Sequence, residues 1–183
     1  MRRIRIREAW GWRGTITATV RHHPGIAAGC VSCQLSARSW CGTPEHQPEI
    51  VGRNTGPNLI VTSGKNWLRD ALEDTDVDSG IRYMAWGSGS TAVAATDTVL
   101  DTETGRKAIT SFADGATGVK VTTVYLAPTE ANSSLAELGW FATSTATASV
   151  DTGVLVARVL YPGGTRVKTD QQSIEIERTD TIA

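Results

Sequence analysis

A chain of 183 residues is long enough for one well-buried core with an added arm or small subdomain, and too short for two large domains. Its formal net charge of −1 removes any whole-chain electrostatic argument for nucleic acid or a membrane surface, and no apolar run approaches the roughly 20 residues that span a bilayer. The three cysteines, Cys30, Cys33 and Cys41, follow no apolar signal segment, so the sequence predicts a chain made in a reducing compartment without a disulfide framework.

Charge is unevenly placed. Residues 1–23 carry Arg2, Arg3, Arg5, Arg7, Arg13 and Arg21 against Glu8 alone, so this stretch is about +5 and the remainder about −6. The alternation of Arg with Ile in "RRIRIRE", followed by Trp10 and Trp12, predicts a basic arm that meets a partner. It leads into "GTITATV", which alternates cleanly and should be a strand. Residues 24–56 lack periodicity and mix His, Cys, Pro and Gly, which predicts an irregular insertion. Within it Cys30, Cys33, Cys41 and His46 are spaced C-x2-C-x7-C-x4-H, a donor set that could close a Cys3His shell around a structural zinc, with His22 or His23 as equal alternatives for the fourth ligand. The alternative is three free thiols in a partly buried loop, and no other cofactor is suggested.

From residue 57 the texture is that of an all-β domain. "PNLIV" is strand-like, then Trp67, Leu68, Ala71 and Leu72 fall on one stripe of a helix that Thr62 or Ser63 can cap. "DTDVDSG" imitates a calcium loop but puts Ser79 where the obligatory Gly belongs and Ala85 where the bidentate Glu belongs, so it reads as an acidic turn. "IRYMAWGSGS" should be a strand ending in a turn whose glycines supply positive φ. "RKAITSF", "GVKVTTVYLAP", a hairpin over 133–162 and "QSIEIERTDTI" complete the strand set, with Ile174, Ile176 and Ile182 facing inward and Glu175 and Glu177 outward. Trp67, Trp86 and Trp140 sit in apolar patterns and read as core, whereas Trp10, Trp12 and Trp40 read as partner-facing. The predicted fold is a β-sandwich, jelly-roll-like, with one short helix: arm and first strand over 1–23, insertion over 24–56, sandwich core over 57–183.

For catalysis the residues offer little. His22, His23 and His46 precede the strand-rich region, and pairing Glu137 with Glu103 or Asp101 brings no accompanying substrate-binding feature. Glu137, set among apolar residues, is better read as half of a buried ion pair with Arg106 or Arg158.

The order of "PNLIVTSGKNWLRDAL", "IRYMAWGSGSTAVAATDTVLDTETGRKAI", "VTTVYLAPTEANSSLAELGWFA", "GVLVARVLY" and "IEIERTDTI" resembles a family of tailed-bacteriophage virion proteins variously labelled tail-fibre, baseplate or phage structural proteins, over residues 57–182. The family's Gly-Ser-Gly turn, acidic Leu-containing segment and Arg correspond to Gly87–Gly89, Asp97, Leu100, Glu103 and Arg106. Its E-x-G-hydrophobic-F element corresponds to Glu137, Gly139, Trp140 and Phe141. The resemblance implies a β-rich, non-enzymatic virion component of tail, baseplate or tail fibre that assembles with copies of itself and with other virion proteins. The basic, apolar-rich arm adds the expectation of a homo-oligomer, a trimer by preference, docked through the first 50 residues; the chain is expected to be made in the host bacterial cytoplasm, and its charge and hydropathy predict no direct contact to nucleic acid or membrane. A capsid decoration protein and a receptor- or carbohydrate-binding module are the alternative expectations.

Overall fold

The computed structural model describes residues 11–27, 29–31, 43–73 and 80–182. The chain is an all-β protein built on a curled, antiparallel, nine-stranded sheet that folds over itself as a sandwich. Strands β1 (Trp12–His22), β2 (Glu49–Ile60), β3 (Ile81–Gly87), β4 (Glu103–Ala108), β5 (Ser111–Asp114), β6 (Val119–Leu126), β8 (Glu137–Ala142), β9 (Val154–Leu160) and β11 (Gln172–Ile182) lie in the order β4-β3-β8-β9-β2-β1-β11-β6-β5. The short strands β7 (Ser134–Leu135) and β10 (Arg166–Val167) pair separately. The helical elements given by the described residues include α1 (Pro24–Ala27), a 3-10 turn (Pro44–His46) and α2 (Thr62–Glu73).

Two layers arise because β2 belongs to both. From Glu49 to Asn58 it pairs with β1, whereas only Leu59 and Ile60 pair with β9. The β1 layer contributes Ile16, Ala18, Val20, Val124, Leu126, Ile174 and Ile176 to the core, and the β8 layer answers with Met84, Trp86, Leu138, Trp140, Ala157 and Val159. At the opposite end of the strand order the chain runs from β4 directly into β5, crossing layers where the Ile109 amide donates to Arg82 O (2.9 Å) and the Thr110 amide to Thr123 O (2.9 Å).

Strand β8 is buried at all six positions, so both of its faces are covered. Leu138 and Trp140 face the sandwich core, while Phe141 faces a second cluster with Val61, Ala85, Leu100, Ala146 and Leu155. That second cover is built by the connection from residue 88 to residue 102, with Leu100 buried in the cluster, and by α2, whose Ser63 Oγ donates to Leu155 O of β9 at 2.7 Å instead of capping its own helix.

Several sequence expectations change. The irregular insertion expected over 24–56 ends earlier, because 49–56 is strand; its residues are exposed except the half-buried Gly52 and Gly56, so no apolar alternation marks it. β1 lies between β2 and β11, so the sandwich core does not begin at residue 57 but includes residues 12–22. Ile182 is exposed, because β11 runs past the end of the core, and the inward parity is continued by Arg178 and Asp180. The acidic turn at 74–79 lies outside the described residues.

Candidate functional site

The polar residues singled out from the sequence meet on the outer face of the β8 layer. Register places Gly139 of β8 opposite both Ala85 of β3 and Arg158 of β9, and Ala85 in turn opposite Arg106 of β4. Alternation along β8 puts Glu137 on the same side as Gly139 and Phe141. Glu137 is fully buried, a position that would cost several kcal/mol for a lone carboxylate. Every oxygen is occupied. Oε1 accepts the Thr102 amide at 2.7 Å, and Oε2 accepts the Asp101 amide at 3.1 Å and Nε of Arg158 at 2.8 Å.

Arg158 spends its remaining donors on the same connection: one terminal nitrogen reaches Asp97 Oδ2 at 2.7 Å, the other Thr91 O at 3.2 Å. Asp97 Oδ2 also accepts the Ala94 amide at 2.9 Å, and Asp101 Oδ2 accepts the Thr91 hydroxyl at 2.7 Å. Glu137 and Arg158 thus staple residues 91–102 to the sheet through main-chain amides and carbonyls. Burial pushes the Arg158 guanidinium down, but Asp97 and Glu137 outweigh it and leave it above its ordinary value. Burial likewise pushes Asp97 up, and the Ala94 amide with Arg158 reverses this and holds it low.

Arg106, the other cation expected for Glu137, takes a different partner. It forms a buried pair with Glu103, three residues before it on β4, donates to Thr152 O and Oγ1, and lies with Cζ 3.8 Å from the Phe141 ring centroid. The glycines of the 87–89 turn do not adopt positive φ, contrary to expectation. Gly89 is needed for space: a Cβ there would lie 2.4 Å from Glu137 Oε1 and 2.5 Å from Asp101 Cβ. Gly139 is required for the same reason, since its Cβ would fall 2.3 Å from Leu100 Cδ1.

The remaining expected site residues are more scattered. Trp12 is half-buried and packs against the core. Its indole Nε1 donates to Asp180 Oδ1 at 2.9 Å, and its ring lies 6.3 Å from that of Trp67. Trp67 is half-buried, at the margin of the core. Arg2, Arg3, Arg5, Arg7, Trp10 and Trp40 lie outside the described residues. So do Cys33 and Cys41, while Cys30 and His46 are both half-buried. Among the described residues no group of three His, Cys, Asp or Glu is placed to hold a metal ion. His23, an alternative fourth ligand, is instead buried with Nε2 2.8 Å from Ser173 Oγ.

Two features escaped sequence reasoning. One is the buried pair Arg178–Asp180 on β11, joined at 2.6 Å, whose signal was there in the parity it shares with Ile174 and Ile176. The other is a cleft of about 480 Å³ on the outer face of the β1 layer, lined by Arg21, His23, Thr123, Tyr125, Ser173 and Glu175 among others. Burial, with His22, Arg21 and Lys168 nearby, holds His23 below its ordinary value and favours the neutral ring. The cleft is lined from β1, β5, β6, β11 and the segments beside them, so no local motif could have announced it.

Comparison of the chain with protein-family models, with curated proteins and with solved structures returned no match.

Proposed function

We propose that the chain is a non-enzymatic structural component of a tailed-bacteriophage virion, placed in the tail, baseplate or tail fibre and assembling with itself and with other virion proteins. One observation carries the reading. The residues on which the phage resemblance rests, Gly89, Asp97, Leu100, Glu103, Arg106, Glu137, Gly139 and Phe141, span more than one element yet converge on one corner. There they satisfy one another: Glu137 has no oxygen left for a ligand, and Arg158 engages two carboxylates and a carbonyl. A site that binds or turns over a substrate keeps groups open to it. A corner that consumes its own charges fixes the shape of a building block.

Assembly is supported by the strand edges. β4 and β5 are the outermost strands of the order, and β2 over Glu49–Asn58 has β1 on one side and no described strand on the other. An extended segment from a neighbouring copy can add to such an edge through main-chain hydrogen bonds, and the Arg/Ile alternation of residues 2–7 suits that mode. Deleting residues 1–10 spares Trp12 and the β1 pairing. The truncated chain is expected to fold but to lose self-association and incorporation into particles, read by mass in solution and by density in intact virions. Unchanged incorporation overturns the arm as docking element, and absence of the intact chain from purified virions overturns the reading altogether.

The cleft beside His23 favours a second reading, a receptor- or carbohydrate-binding module, because a hydroxyl-rich lining with Tyr125 and an Arg–Glu pair suits a polar ligand. Glycan-array binding abolished by Tyr125→Ala would favour it over the structural role.

A further inference from the structure

Besides Arg106, Arg158 and Arg178, the described residues contain one more buried cation, Lys168. The three arginines each pair with a carboxylate: Glu103, Glu137 with Asp97, and Asp180. Lys168 does not. It is 2 % exposed, and its Nζ meets only neutral acceptors, Asn132 Oδ1 at 2.8 Å, Pro128 O at 3.0 Å and Thr169 O at 3.3 Å.

From the contact of Nζ with Asn132 we propose that Lys168 and Asn132 form an intramolecular isopeptide bond. Two of the three acceptors are main-chain carbonyls. The third belongs to a side-chain carboxamide, the one amide here that an amine can acylate itself on without cutting the chain. With Oδ1 at 2.8 Å and a carbonyl bond of about 1.23 Å, Cγ lies within about 4 Å of Nζ, and rotation of the carboxamide about Cβ–Cγ turns its reactive face to the amine. The Nζ lone pair adds to Cγ, the Cγ–Nδ2 bond breaks, and ammonia leaves with one of the lysine protons. No oxidant or other reactant is needed. Asn132 is exposed, so the ammonia has a direct way to solvent.

Two further features support the step. Burial lowers the Lys168 amine to about 8, only partly opposed by Glu130 and Asp170, so about a tenth is neutral at pH 7, against far less for an ordinary lysine, and the neutral form is the nucleophile. The register is also held from both sides. β10 pairs Arg166 with Leu135 and Val167 with Ser134, the Lys168 amide donates to Ser133 O at 3.1 Å, and Ala131, at φ 51°, turns the loop just before Asn132. Glu130 of the same loop is committed to Lys107 and to the Ala127 amide at 2.8 Å, so the proton passes from the lysine nitrogen directly to the departing ammonia. The bond would clamp the separate β7–β10 pair, which has only two residue pairs of its own.

The test is the intact mass of the purified full-length chain and a peptide digest. The expected result is a chain lighter by one ammonia and a branched peptide that joins the segments containing Asn132 and Lys168. Lys168→Met and Asn132→Ala should each restore the full mass. A wild-type mass with no ammonia lost overturns the proposal and leaves Lys168 as a hydrogen-bonded latch. A loss that persists in Lys168→Met also overturns it, since that loss would be a cyclised asparagine. The wild-type measurement stands even if a variant fails to fold.

Discussion

Arg158 and Arg178 are both buried guanidiniums on central strands, and the protein accommodates them differently. Around Arg158 each nitrogen has a partner, and the carboxylate it meets is itself saturated by main-chain amides. Arg178 reaches one carboxylate oxygen, Asp180 Oδ1, through Nε at 3.1 Å and a terminal nitrogen at 2.6 Å, and its Nε also donates to the Asn58 carboxamide oxygen at 3.3 Å, while its other terminal nitrogen has no side-chain or main-chain partner among the described residues. Its charge rests between ring faces, 5.4 Å from the Trp140 centroid and 5.7 Å from that of Trp12. The electrostatics diverge accordingly: Arg158 is held above its ordinary value despite burial, whereas burial carries Arg178 below its own, with Asp180 opposing. A buried charge that organises a loop is hard to replace. One whose single carboxylate keeps another donor, as Asp180 keeps the Trp12 indole, is more open to an apolar substitute.

That contrast can be broken experimentally. Arg158→Met leaves Glu137 buried and unpaired, and it should cost about 3–5 kcal/mol in urea unfolding; a loss below about 1 kcal/mol would show that the corner is not held by the pair. Gly89→Ala drives a methyl into Glu137 and Asp101 and should cost about 1–3 kcal/mol, while Gly11→Ala, with nothing near its Cβ, serves as the silent control. Arg178→Met should cost less than Arg158→Met, about 1–2 kcal/mol, because Asp180 keeps the Trp12 indole at 2.9 Å. Equal losses for the two arginine variants would erase the distinction.

The smallest effect is in pH. Asp97 titrates below its ordinary value in the fold, so the unfolded chain takes up its proton first on acidification. Its contribution is complete above the ordinary carboxylate range and is lost as pH falls through the folded value. Because the Asp97 side chain is 20 % exposed, the contribution should stay below about 1 kcal/mol. On acidification the protection factors of the Asp101 and Thr102 amides, taken against the intrinsic exchange rate at each pH, should fall, and Asp97→Asn should flatten that dependence.

Much of the sheet could be read from alternation, because most strands bury one face. Ile174 and Ile176 announced β11, and "GTITATV" announced β1. The rule failed where its premise failed. Glu49–Gly56 is strand but exposed at every side chain, half-buried only at Gly52 and Gly56, so it offered no apolar face to detect. Ile182 was assigned inward by parity alone, although the core stops before it. For the corner, a carboxylate among apolar residues was enough to mark Glu137 as an ion-pair member. The choice between Arg106 and Arg158 was not readable, since it depends on which arginine lies directly behind Glu137 across strands 21 residues apart in sequence. The amides of Asp101 and Thr102, which complete the carboxylate's shell, carry no sequence signature at all.

The pairing of β1 with β11, Trp12 opposite Ile182, also has a consequence in time. During synthesis at roughly 5–20 residues per second, β1 waits on the order of ten seconds before its C-terminal neighbour leaves the ribosome. Through that interval Ile16, Ala18 and Val20 have only β2 beside them, and one edge of β1 is open to any extended chain nearby. Neighbouring nascent copies on one message are therefore the main competitors for β11's place, and slower initiation or cooler growth should raise the yield of folded protein.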